Sequence, residues 1–237
     1  MAIGKSISRN NAISSIEQRL QKNEKTVKRS IFYFIGIPLL VILVGFSALG
    51  VDMIYFYHYK QFPPPPDVSG IQPHLKNGDI ILRSGIGFWS ERFRQSNTND
   101  KRFSHVGIVL VDEQGTVSVL HAEGDDHTGD GMVSIVSLEQ FVGESVDIGV
   151  SRLRDADPNR FVSEAKKYLG RPFDWKFDTD SSSEIYCTEL VERAMKDICP
   201  ERSLVRNSYN IILPEACLDR RFFTEIPLSY SAKTAQR

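Results

Sequence analysis

The chain has 237 residues, is 41% hydrophobic and carries a formal net charge of −1. It is long enough to bury the core of one domain, and its balanced charge gives no reason to expect a nucleic-acid partner. The charge is unevenly placed, because residues 1–30 hold seven Lys or Arg against two Glu. Residues 1–30 are therefore predicted to be a basic cytoplasmic segment.

An uncharged stretch follows, from Ile31 to Val51. About 20 apolar residues are needed to cross a bilayer as a helix, and the aromatic residues just after Val51 are typical of a lipid–water boundary. We expect residues 31–58 to anchor the protein in the inner (plasma) membrane by a single pass, with the domain that follows periplasmic or extracellular. A cleaved signal peptide is the alternative, since Ala48-Leu49-Gly50 resembles a cleavage site.

Residues 59–69 are predicted to be a linker, because the sequence from Phe62 to Asp67 is rich in proline. Consecutive prolines favour stiff polyproline II geometry and cannot continue a helix. Residues 70–230 are predicted to form the globular domain, and residues 231–237 a tail.

The domain contains strand and helix patterns that together predict an α+β fold. Residues 77–83 read as a turn entering a strand, and "FSHVGIVLV" and "TVSVLHAE" read as two strands of a hairpin. One helix is predicted from Asp157, as its cap, to Gly170. A second is predicted over Ser181–Ile198, where Ser181 and Glu184 have capping-box spacing.

Cys187 lies near the beginning of the second predicted helix. Free N–H groups and the helix dipole at such a position favour a thiolate, so the pattern predicts a thiol of lowered pKa that can act as a nucleophile. A small buried side chain that only packs beneath the helix is the other interpretation.

His105 begins the first hairpin strand and is the candidate base. A three-residue loop would place His105 opposite Glu123 and Gly107 opposite His121 on the second strand. A register two residues tighter would place His121 directly across from His105. Either acceptor would orient the imidazole, as a triad requires. Gly107 is expected to leave room for substrate beside the base.

These blocks resemble the NlpC/P60 superfamily of papain-like cysteine hydrolases, in the circularly permuted branch of YiiX/YebB type. "NGDIILR", "SHVGIVL" and "VLHAEG" come first here, and "YLGRPFDW" and "YCTELV" come last. The order is shifted relative to ordinary members. The resemblance implies a permuted papain-like fold with an antiparallel sheet flanked by helices, covering nearly all of residues 70–200.

The resemblance also implies residue roles. Cys187 would be the nucleophile, His105 the general base and His121 the third residue, with Glu123 as an alternative that occurs in permuted relatives. The chain carries Phe173 where members usually have tyrosine. A hydroxyl that binds the oxyanion or orients substrate would then come from elsewhere, such as Tyr186, and the Cys187 N–H would supply one oxyanion donor.

The expected activity is hydrolysis of an amide bond through a thioester, most directly in peptidoglycan stem peptides. The alternatives are a lipid acyl hydrolase or acyltransferase acting on a lipid substrate, and a non-catalytic module that binds cell wall or lipid. An apolar trough near Cys187 would favour the lipid substrate. No cofactor or metal is expected: a calcium loop at 125–131 and a zinc site on His105, His121 and Cys187 are both disfavoured. Cys199 and Cys217 are candidates for a disulfide.

Overall fold

The computed structural model describes residues 19, 22–125, 128–181 and 183–228. The chain divides between Lys60 and Gln61 into two compact units. The predicted tail at 231–237 and most of the predicted basic segment at 1–30 lie outside the described residues. Residues 126 and 127 of the disfavoured calcium loop also lie outside them.

The N-terminal unit contains one long helix, Lys22–Phe56, with an apolar window whose mean hydropathy is 2.5. A π-helical turn at Phe32–Gly36 precedes the regular helix α1 at Ile37–Tyr59. The Ile37 N–H donates to the Phe32 carbonyl, five residues earlier, in place of the usual four. This wider turn comes just before Pro38, which has no N–H to donate to the preceding turn. The helix is long enough to span a membrane, and both a single-pass anchor and a signal sequence are compatible with it.

The second unit is built on a six-stranded antiparallel sheet in the order β4-β3-β2-β1-β5-β6. The strands are β1 Asp79–Gly85, β2 His105–Val111, β3 Val117–Gly124, β4 Gly131–Ser137, β5 Ser145–Leu153 and β6 Phe223–Glu225. The predicted turn, strand and hairpin correspond to β1, β2 and β3.

Helices flank this sheet, as the α+β prediction expected. They are α2 Val68–Ile71, α3 Phe88–Ser96, α4 Leu138–Gly143, α5 Pro158–Lys166 and α6 Cys187–Ile198, with short 3₁₀ turns at Gln72–His74 and Pro214–Leu218. The Asp157 carboxylate caps α5 by accepting the Asn159 N–H at 2.9 Å, as predicted. The helix ends at Lys166, four residues before the predicted end at Gly170, which has φ +76° in the turn that follows.

Apolar side chains cover both faces of the sheet, so successive residues of β1 are buried on opposite sides. Ile80 and Leu82 pack into the cluster that α5 and α6 cover, whereas Ile81 packs into the cluster beneath α2 and α4. Burial on both faces explains why β1 is a continuous apolar run instead of an alternating one.

The second predicted helix begins six residues later than expected, at Cys187 instead of Ser181. Ile185 donates its N–H to the Pro172 carbonyl at 3.0 Å and accepts the Asp174 N–H at 3.2 Å. The residues before the helix therefore run extended beside 172–174. The capping contact comes from Glu189, whose carboxylate accepts the Tyr186 N–H at 3.4 Å, and not from Glu184.

Candidate active site

Cys187 is the first residue of α6 and is only 4% exposed. Its sulfur faces the backbone N–H groups of Val106, Thr188 and Cys187 itself. Val106 directly follows His105, and the residue pairing between β2 and β3 extends only as far as Ile108, two residues further on. The helix tip thus meets the start of β2 where the hairpin strands are no longer paired.

Burial raises the pKa of the Cys187 thiol to about 11, against the opposite pull of those N–H groups and of Arg83. The expectation of a lowered thiol pKa is therefore wrong for the resting protein. The helix terminus stabilises a thiolate, as predicted, but removing the sulfur from water has the larger effect.

His105 and His121 are hydrogen-bonded to each other, with Nε2 of His105 2.9 Å from Nδ1 of His121. Their rings meet edge to face at a centroid distance of 5.2 Å. His121 is buried at 2% exposure, and His105 is half-buried. Of the two acceptors that the sequence left open, His121 is the one that contacts His105.

The hairpin has the three-residue loop that the sequence suggested, with Gly115 at φ +81° and Ile108 paired with Leu120. Continuing this register places His105 opposite Glu123. The Glu123 carboxylate instead pairs with Arg83, and its other oxygen lies 3.5 Å from Nδ1 of His121. His105 therefore contacts its diagonal neighbour on β3 and not the residue directly across.

Arg83 is a site residue that the sequence reasoning missed. It is the direct partner of His105 in the β1–β2 pairing, is 4% exposed and lies 4.8 Å from the centroid of the Phe141 ring. The same Phe141 ring lies 5.8 Å from the ring of His105 and 5.5 Å from that of His121. The only available signal was a charge near the end of an otherwise apolar strand.

Burial and the positive charge of Arg83 disfavour protonation of both imidazoles. Burial lowers the pKa of His121 to about 3, with Arg83 adding to the effect. The pKa of His105 is also well below its usual range, first because of burial and then because of Arg83 and His121. At neutral pH the resting site therefore holds a neutral thiol and two neutral imidazoles.

A cavity of about 650 Å³ opens onto Cys187 and His105. Its wall includes several Phe and Trp side chains, and Trp89 and Trp175 are half-exposed at 50% and 41%. The aromatic side chains of the lining are Trp89, Phe93, Phe173, Trp175 and Phe177, and its charged side chains are Arg83, Arg92 and Glu123. Phe173, which stands in place of the expected tyrosine, thus forms part of an apolar wall.

Gly107 and Tyr186 do not lie where the sequence reasoning placed them. A Cβ on Gly107 would come within 2.4 Å of the Val119 side chain and 3.2 Å of Phe141, so this glycine permits packing and does not make room for substrate. Tyr186 is fully buried, and its hydroxyl accepts the Ile212 N–H at 3.1 Å. Neither residue lines the cavity.

The expected disulfide is also absent, since all three cysteines are free. Cys199 follows the last residue of α6, whereas Cys217 is buried in the same apolar cluster as Cys187, which lies at the other end of that helix. A helix of 12 residues is about 18 Å long, well beyond the reach of a disulfide.

A thiol at a helix tip, an imidazole from an adjacent strand and a third polar residue, on an antiparallel sheet flanked by helices, define the papain-like class of hydrolase folds. The model of the permuted papain-like amidase family, YaeF/YiiX type (C92), matches residues 74–219, more than half of the chain. The chain belongs to this family. The resemblance inferred from the order of the sequence blocks is confirmed.

The structure is also similar to a crystal structure described as that of the metalloprotein yiiX from Escherichia coli O157:H7. The TM-score is 0.55 at 19% identity, and the match covers 67% of this chain and 99% of the other. This likeness supports the fold. No curated protein matches the chain.

The description of that neighbour as a metalloprotein raises the question of whether this site suits a metal. His105, His121 and Glu123 offer ligand atoms within 4.8 Å of one another. In this arrangement, however, the two imidazole nitrogens bond to each other and Arg83 occupies the Glu123 carboxylate. A cation would have to break both contacts and lie close to a buried guanidinium, so the donors as arranged do not fit a metal.

Proposed function

We propose that the domain is a cysteine amidase in which Cys187 is the nucleophile, His105 the general base and His121 the orienting third residue. The observation that carries this proposal is the 2.9 Å bond between His105 and His121 beside a cavity that both His105 and Cys187 line. A histidine whose Nε2 is fixed by a partner can present a defined tautomer to a thiol.

In the proposed mechanism, His105 donates its Nε2–H to Nδ1 of His121, which leaves the Nδ1 of His105 unprotonated. That nitrogen accepts the thiol proton as the Cys187 sulfur attacks the carbonyl carbon. The helix-tip N–H of Cys187 stabilises the oxyanion. The proton on His105 then passes to the leaving amine as the C–N bond breaks, and water hydrolyses the thioester with His105 again acting as base.

The resting protonation states make this a general-base mechanism. A thiol pKa of about 11 and a lowered imidazole pKa leave the proton on sulfur until substrate is bound. The thiolate is then formed together with the attack, where the positive charge of Arg83 and the N–H of Val106 favour it.

The cavity wall favours a substrate with an apolar chain. Peptidoglycan stem peptides, the first substrate expected from the sequence, carry several carboxylates that would require cationic partners. The wall instead offers five aromatic side chains, and one of its two arginines, Arg83, already pairs with two carboxylates. We therefore propose an amide-linked lipid as the preferred substrate class, with muropeptides as the second candidate.

Incubation of the full-length protein in detergent with purified muropeptides and, separately, with N-acylated and phospholipid mixtures tests this assignment. Mass spectrometry should show release of fatty acid by the wild type and none by Cys187→Ala. Release of stem peptide alone would transfer the proposal to peptidoglycan. If neither pool is turned over and Cys187 does not react with electrophilic acyl probes, the domain is a binding module.

We further propose that the N-terminal helix is retained as an anchor, with its basic side in the cytoplasm and the hydrolase domain outside. The charge asymmetry on the two sides of the apolar stretch supports this orientation. A reporter that is active only outside the cytoplasm, fused after Arg237, should give signal. A silent reporter together with an active cytoplasmic one would reverse the topology, and a shortened mature chain would identify a signal peptide.

A further inference from the structure

Arg83 and Glu123 flank His105 on its two neighbouring strands, and they pair with each other instead of with the histidine. Arg83 is the direct partner of His105 on β1, and continuing the β2–β3 register beyond Ile108 would put Glu123 opposite His105 on β3. The guanidinium donates to the Glu123 carboxylate, lies 3.2 Å from a carboxylate oxygen of Glu144 and donates to the Phe141 carbonyl at 3.2 Å.

This pairing changes which acceptor the imidazoles meet. A free carboxylate competes strongly for an imidazole N–H, because charge-assisted hydrogen bonds are stronger than neutral ones. Glu123 is near enough to compete, since one of its oxygens lies 3.5 Å from Nδ1 of His121. That nitrogen is the same atom that accepts the Nε2–H of His105 in the proposed mechanism. A free carboxylate beside it would favour the His121 tautomer that carries a proton on Nδ1, and a His121 in that tautomer could no longer accept this hydrogen bond.

We propose that Arg83 is a positioning residue that restrains Glu123, so that His121 and not Glu123 is the hydrogen-bond partner of His105. The catalytic importance of Arg83 rests on the proposed function. The restraint that Arg83 places on Glu123 does not depend on that function. Four elements supply the charged and titratable groups around His105, namely Arg83 on β1, His121 and Glu123 on β3, Glu144 after α4 and Cys187 on α6. Removing Arg83 would leave the carboxylates as the dominant charges near the two imidazoles.

The test is an NMR titration of the full-length protein in detergent, with ¹⁵N-labelled histidine. Arg83→Met should raise the protonation midpoints of His105 and His121 by about one pH unit or more, because a cation is lost and a carboxylate is released. Glu123→Gln should leave the two midpoints unchanged or lower them. The positive charge of Arg83 is then less neutralised and disfavours protonation of the imidazoles more strongly. The double variant should fall between Arg83→Met and the wild type.

The variants are suited to this test because the carboxylates that Arg83→Met unpairs are not deeply buried, with side chains 36% and 56% exposed for Glu123 and Glu144. Arg102→Met, which removes an arginine paired with Asp100 and Glu225 away from the cavity, is the matched control and should move neither midpoint. If Arg83→Met does not fold, Glu123→Gln provides the test. The proposal expects the His105–His121 hydrogen bond to persist in Glu123→Gln, and loss of that bond would overturn the proposal.

Equal midpoints in Arg83→Met and the double variant would also overturn it, because Glu123 would then have no role. The turnover assay separates this outcome from failure of the proposed function. If the wild type hydrolyses no amide but the midpoints shift as expected, the restraint stands and the enzyme assignment fails. If turnover depends on Cys187 but the midpoints do not shift, only the role of Arg83 is lost.

Discussion

His105 bonds to His121 at 2.9 Å, although continuing the hairpin register past its last pair, Ile108 with Leu120, would put Glu123 opposite His105. The contact is therefore a diagonal one between neighbouring strands. Such diagonal neighbours are within reach of ring side chains. The Val119 and Phe141 side chains fill the position where a Cβ on Gly107 would lie.

Replacing Cys187 with alanine should abolish turnover while leaving folding intact. We expect a fall in kcat of at least about 10³-fold, because no other group can form the thioester. The thermal unfolding midpoint should remain close to that of the wild type, since the buried sulfur is small. Cys199→Ala, which changes a free thiol at the far end of α6, is the matched control and should keep full activity. Activity in Cys187→Ala would exclude this nucleophile.

The pH dependence of Cys187 alkylation should report a neutral thiol in the resting protein. Burial raises the pKa of this thiol to about 11, so the rate with iodoacetamide should keep increasing above pH 8 and have its midpoint near pH 11. Peptide mass spectrometry distinguishes Cys187 from the other two thiols. A rate that is already constant below pH 7 would instead indicate a preformed thiolate–imidazolium pair.

His121 should make the domain sensitive to acid. Its pKa is about 3 in the folded protein against 6.5 for an unperturbed histidine. The unfolded state therefore binds more protons than the native state between these values, and stability is lost as the pH falls below about 6.5. In denaturant titrations at pH 7 and pH 4.5, His121→Gln should lose less stability between the two pH values than the wild type. Parallel losses would show that His121 does not contribute.

Trp89 should bind the apolar part of the substrate. It lines the cavity and is 50% exposed, so Trp89→Ala should raise KM for a long-chain amide by about tenfold, which corresponds to ~1.4 kcal/mol, with little change in kcat. Short-chain substrates should be affected less. Tyr209→Ala, an 81% exposed aromatic residue outside the cavity lining, serves as the control. An equal effect at every chain length would argue against an acyl site.

Gly107→Ala should destabilise the domain by about 1–3 kcal/mol, because its Cβ would come within 2.4 Å of the Val119 side chain. The activity of the folded fraction should be retained, since Gly107 does not line the cavity. Gly143→Ala, where a Cβ meets nothing within 4 Å, should change stability by less than about 0.5 kcal/mol. A stable but inactive Gly107→Ala would restore a role in substrate binding.

Much of the local structure could be predicted from the sequence because it depends on short-range signals. Alternating apolar residues and the loop ending in Gly115 predicted the observed register of β2 and β3 as one of two alternatives. Asp157 marked the beginning of α5, whereas the helix ends at Lys166, before the predicted Gly170. The strands β4, β5 and β6 were not predicted. Their positions in the sheet depend on pairings between distant segments, such as Asp79 with Arg152.

The sequence by itself determined the apolar N-terminal helix, the α+β class, the permuted order of the blocks and the identity of Cys187 and His105 as the pair to examine. Only the tertiary structure decided that His121 is hydrogen-bonded to His105 and that Arg83 forms an ion pair with Glu123. It also decided that the pKa of the Cys187 thiol is raised by burial and not lowered. The physical reason is that local patterns specify backbone conformation and register. Charge pairing and desolvation depend on which side chains of different strands and helices are buried together, and neighbouring sequence does not specify that.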